Sequence, residues 1–167
     1  MAASGQLDEF NTVSETQNAN VTNCNFGSND SHNIVVATYP ITVGENSFEK
    51  YWKMAFSGTF NSVDNLKVWK VSGAYVTGEG IDTNAREATY GGAETFVTPT
   101  QTTSTKATQV LPIAEPTGAN LGIAGSLSGS LSAAGSSDYL LMQLQTTGST
   151  PVGDGNQKVF RFQWDES

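Results

Sequence analysis

The stretch Phe48-Glu49-Lys50-Tyr51-Trp52-Lys53-Met54-Ala55-Phe56-Ser57-Gly58-Thr59-Phe60 decides the fold class. Its even positions carry Phe48, Lys50, Trp52, Met54, Phe56, Gly58 and Phe60, and its odd positions carry Glu49, Tyr51, Lys53, Ala55, Ser57 and Thr59. Large apolar groups fall on one parity and mostly polar ones on the other. A period of two marks a strand with one buried face, because successive side chains leave the pleat on opposite sides. The turn residues Asn61-Ser62-Val63-Asp64-Asn65 follow, and Leu66-Lys67-Val68-Trp69-Lys70-Val71 begins a second strand. This spacing predicts a hairpin.

The same period extends outward along the chain. Val35, Ala37, Tyr39, Ile41 and Val43 share a parity, and Pro40 inside that run makes it an edge strand or a bent one. Leu140, Met142 and Leu144 mark a late strand; Phe160, Phe162 and Trp164 mark the last. Between these two, Thr147 to Gln157 carries Pro151, Gly148, Gly153 and Gly155 and reads as a long hairpin connection. In Leu121 to Ser132, Leu121, Ile123, Leu127 and Leu131 occupy odd positions amid Gly, Ala and Ser. A random linker does not sort its aliphatics onto one parity, so a strand with a thin apolar face is expected there. Thr98 to Thr108, dense in Ser and Thr, is an exposed β segment or an extended loop. No segment shows a helical period. About eight strands in one domain predict an all-β fold, an antiparallel β-sandwich or jelly roll, with a small barrel as the alternative.

Composition bounds the function. The 167 residues include 8 Lys+Arg and 16 Asp+Glu, giving a net charge of -8, and only 14% are charged. A coiled coil or helical bundle needs far more Glu, Lys, Leu and Ala. Phosphate neutralisation needs a basic surface, so nucleic acid is not an expected partner. No apolar run is long enough for a transmembrane helix, and no membrane partner is expected. The single cysteine, Cys24, cannot build an internal disulfide. The N-terminus lacks the basic and apolar regions of a signal peptide, so synthesis in a cytoplasm is expected.

Residues 1–32 are polar, with Leu7, Phe10, Val13, Val21 and Phe26 as scattered apolar points. They read as an extended N-terminal arm, and residues 33–167 as a single β-sandwich domain. A polar arm is ordinarily held by another chain, which makes Leu7, Phe10 and Val13 its expected interface residues.

Chemistry-bearing residues are sparse. His32 is the only histidine and lies in a turn-like Asn29-Asp30-Ser31-His32-Asn33; no Gly-x-Ser-x-Gly elbow accompanies it. One His and one Cys cannot build a zinc site within one chain. Asp154-Gly155-Asn156 and Glu79-Gly80-Ile81-Asp82 approach a calcium-loop composition without its spacing. Gly78-Glu79-Gly80 and Gly91-Gly92 form neither a Walker loop nor a dinucleotide fingerprint. No catalytic, metal-binding or cofactor-binding residue is assigned, and the chain does not read as an enzyme. Trp52, Trp69 and Trp164 could make a sugar-stacking platform, but Trp52 and Trp164 share the parity of core residues. The face of Trp69 stays open.

The run Gly44-Glu45-Asn46-Ser47-Phe48 through Trp52-Lys53-Met54-Ala55-Phe56 to Asn61, continuing into Asn65-Leu66-Lys67-Val68-Trp69, resembles a pattern in tailed-bacteriophage virion proteins. The closing Val159-Phe160-Arg161-Phe162-Gln163-Trp164-Asp165-Glu166 is similar to their C-terminal strand. Those proteins are small β-sandwiches or jelly rolls, among them the decoration (cement) proteins of capsids. The resemblance implies a structural role on the exterior of a virion. It would bind the major capsid protein lattice and stabilise the head, with the chain self-associated as a trimer or other symmetric oligomer. A tail, baseplate or fibre component and a carbohydrate-binding module are the alternatives.

Overall fold

The computed structural model describes residues 2–88, 95–153 and 155–167. Gly91-Gly92 and Asp154 lie outside these residues. The described chain forms nine strands: β1 (Ala3–Asn11), β2 (Thr16–Asn18), β3 (Lys50–Gly58), β4 (Val63–Ser72), β5 (Glu79–Thr83), β6 (Gln109–Val110), β7 (Gly135–Ser136), β8 (Leu140–Thr146) and β9 (Val159–Glu166). There is no helix among the described residues, and every strand pair is antiparallel. The larger sheet runs β2-β1-β3-β8-β5-β6, with β7 also on β3; the smaller is β4-β9. The all-β antiparallel class read from the alternation therefore holds.

β3 lies at the centre. β1 pairs with it from Tyr51 to Gly58, and β8 and β7 share its other edge. Its even residues Trp52, Met54 and Phe56 face the smaller sheet, where they join Leu66 and Val68 of β4, Ile81 of β5 and Leu140 and Met142 of β8 in one buried cluster. Phe160, Phe162 and Trp164 of β9 pack onto it. The opposite face is covered too. Tyr51 is fully buried with Leu141, Ala107 and Tyr139, against Phe10 and Phe96. Segment 95–108 is the cover, so Thr98 to Thr108 is an extended loop.

Several expectations are corrected. β3 and β4 do not form a hairpin: β4 pairs with β9, Val68 opposite Phe162, and the intervening turn carries the chain from one sheet to the other. β8 and β9 are likewise in different sheets. Alternation and loop length are the same for a hairpin and for a sheet-to-sheet crossing, which is why the sequence does not separate them. Val35 to Val43 is a series of turns, with Val35, Val36 and Tyr39 exposed. Leu121 to Ser132 is irregular. Ala124 and Gly125 both have positive φ, and Ile123 and Ser126 exchange main-chain hydrogen bonds across them. That is a tight turn, not a strand. Its parity still has meaning, since Leu121 and Ile123 are buried and Leu131 bridges Val63 of β4.

The N-terminal segment differs most. Ala3–Asn11 is not an arm but a strand bonded to β3 from Ala3 opposite Gly58 to Phe10 opposite Tyr51. Val21, Cys24 and Phe26 belong to the same core as residues far along the chain. Main-chain pairing is indifferent to side-chain polarity, so a polar segment can be an interior strand.

Candidate functional site

Leu7, Phe10 and Val13 are not brought together. Leu7 and Phe10 have opposite parity, so the pleat sends them to opposite faces of the larger sheet. Leu7 packs on the core between the sheets; Phe10 meets the ring of Tyr139 edge-on, centroids 5.2 Å apart. Val13 lies in the turn after β1 and is 78% exposed. Of the three, Val13 alone is exposed, and Leu7 is half-buried.

A cavity of about 1080 Å³ opens beside β9, lined also by residues of β1, β5 and β8. Among the described residues β9 pairs only with β4, so its other edge carries unpaired strand backbone. Leu7, Val21, Phe26, Phe160 and Phe162 line the floor. The rim includes Val36, Ile41, Val43 and Val152, and Val152 is 88% exposed. The far end holds a buried ion pair between Lys158 Nζ and Glu79 Oε1. The ammonium groups of Lys70 and Lys158 stand 4.9 and 5.5 Å from the Tyr75 ring. Burial, then the Glu79 carboxylate, pushes the Tyr75 hydroxyl up to about 12. Cys24, also on the wall, is pushed up to about 12 by burial and then by Glu9. At neutral pH it is therefore a thiol, neither a nucleophile nor a ready metal ligand.

Beneath the segment that follows β2 lies a buried polar cluster. Glu9 and Lys50 are each 0% exposed and Asn11 is 2% exposed. Glu9 Oε1 accepts from Lys50 Nζ at 2.8 Å and from Asn11 Nδ2 at 2.9 Å. Glu9 Oε2 accepts from Trp52 Nε1 at 3.3 Å. Lys50 Nζ also donates to Ser31 O at 2.9 Å, and Asn11 Nδ2 to Asp30 Oδ1 at 3.1 Å. Asn11 Oδ1 accepts from Asn18 Nδ2 at 3.2 Å. Of these residues the sequence singled out only Trp52, as a core side chain; Glu9, Asn11 and Lys50 were assigned no role. The available signal was Lys50 on the apolar parity of β3, because a buried ammonium demands a counter-charge.

The other candidates fall into place around these features. His32 is exposed, its Nδ1 3.8 Å from Glu9 Oε2. Glu79 is committed to Lys158, and no group of three or more His, Cys, Asp or Glu side chains among the described residues could hold a metal ion. The indoles make no exposed platform: Trp52 and Trp69 are buried, and Trp164 packs edge-on against Phe56 with centroids 5.2 Å apart. Comparison with protein-family models, with curated proteins and with solved structures finds no match to this chain.

Proposed function

We propose that this chain is a virion structural protein of the capsid-decoration type, a β-sandwich that attaches to the outer surface of the major capsid protein lattice and stabilises the head. The observation that carries the reading is the open apolar cavity along the free edge of β9, with apolar side chains on its exposed rim. Such a patch on a small chain suits contact with another protein. The segments that resemble virion proteins are β3, β4 and β9, which supply the core behind that cavity. A net charge of -8 favours a protein partner on the outer face over packaged nucleic acid. Many copies on a lattice would gain by multivalency, and self-association about a symmetry axis fits the same arrangement.

Quantitative mass spectrometry on gradient-purified particles tests this. Hundreds of copies banding with the capsid protein are expected. A handful of copies places the chain in a tail, baseplate or fibre; absence from particles overturns the virion reading and favours a glycan-binding module. Val36→Asp with Val152→Asp, both on the rim, should abolish attachment and leave the fold intact. Full attachment of that variant removes the cavity from the interface.

A further inference from the structure

We propose that the side chains of Lys50 and Asn11 become joined by an intramolecular amide bond, with Glu9 carrying the protons. The pairing of β1 with β3 ends with Glu9 opposite Trp52 and Phe10 opposite Tyr51, and continuing that register one step past the last pair brings Asn11 to the position opposite Lys50. Directly opposed residues on one face of an antiparallel pair have Cβ atoms about 5 Å apart, within reach of a lysine side chain. The two nitrogens are held to one oxygen, Glu9 Oε1, at 2.8 and 2.9 Å. All three residues are buried, and Phe26 packs at right angles to the neighbouring Trp52 ring, centroids 5.9 Å apart.

The groups present suffice for the chemistry. A proton passes from Lys50 Nζ to Glu9 Oε1 along their hydrogen bond and frees the amine lone pair, which attacks Asn11 Cγ. Negative charge gathers on Asn11 Oδ1, where Asn18 Nδ2 already donates at 3.2 Å. Glu9 gives its proton to Asn11 Nδ2 and takes one from Lys50 Nζ. The Cγ–Nδ2 bond breaks and ammonia leaves, taking up the proton on Glu9. Asp30 Oδ1, 3.1 Å from Nδ2 and less buried, is an acceptor on the way out. One C–N bond forms, one breaks, and no oxidant or external reactant is needed. The product ties β1 to β3 covalently. This inference is independent of where the protein attaches.

Intact mass spectrometry of the full chain under denaturing conditions, followed by peptide mapping, decides it. The expected result is a mass lighter than the sequence by one ammonia, and one branched peptide joining Asn11 to Lys50. In the Lys50→Arg and Glu9→Gln variants the loss should vanish. A chain at full sequence mass overturns the proposal and leaves a purely structural ion pair. Loss of ammonia without the branched peptide, or loss of water with Glu9 as the linked residue, overturns it as well. The unmodified chain is itself the decisive sample, so a variant that fails to fold does not blunt the test.

Discussion

The two ends of the β1–β3 pair show one face of one ribbon buried by opposite means. At the Gly5–Phe56 end the sheets nearly touch: a Cβ on Gly5 would lie 2.9 Å from Trp164 Cη2 and 3.3 Å from Met54 Cε. At the Asn11–Lys50 end the cover is not the second sheet but residues 18–34, whose main chain and polar side chains come with it. There the ribbon answers with Glu9, Asn11 and Lys50. An apolar cover asks for shape. A polar cover asks for a complete set of hydrogen-bond partners, because each one missing leaves a buried group unsatisfied.

The most severe way to break the comparison is to delete residues 2–18. That removes β1 and β2 and opens a long edge of β3, so no cooperative thermal transition should remain; a transition near that of the full chain would return the segment to the role of an arm. At the polar end, Lys50→Met should cost about 3–5 kcal/mol, because the Glu9 carboxylate stays buried without its counter-charge. Adding Glu9→Leu should recover only the electrostatic part in denaturant titration, and a deficit should persist because both variants lack the covalent link; full recovery would speak for electrostatics alone.

At the apolar end, Phe56→Ala should cost about 3–5 kcal/mol by opening a cavity against Trp164. A cost under about 1 kcal/mol would mean the face collapses readily. Gly5→Ala is milder, about 1 kcal/mol, at the low end of overpacking, since Trp164 sits on a half-exposed strand and the Met54 tip can move. Smallest of all, Val13→Ser in the exposed turn should lie within about 0.5 kcal/mol of the parent and serves as the control.

Part of this was legible in the chain. Trp52, Met54 and Phe56 announced β3, Leu140 and Met142 announced β8, and Phe160, Phe162 and Trp164 announced β9, because an apolar face repeats every second residue. β1 stayed hidden, since its core parity reads Leu7, Glu9, Asn11 and looks like a solvated arm. Val35 to Val43 misled for the converse reason: alternation of small and β-branched residues also occurs where turns leave side chains in solvent. The cavity had no local signature, because its wall combines β1, β5, β8, β9 and the loops between strands. Leu7 was singled out correctly as an apolar point, but its parity already opposed that of Phe10, and a common interface for both was unattainable on one strand.

By itself the sequence determined the all-β class, the acidic charge and the positions of the strongest strands, since strand period is a local property of consecutive residues. The tertiary structure alone decided which strands pair, that β4 turns from β3 to β9, and that Lys50 meets a carboxylate 41 residues away. The physical reason is that strand pairing is made by main-chain groups common to nearly every residue. Partner choice therefore rests on how distant faces fit, and no window along the chain contains that fit.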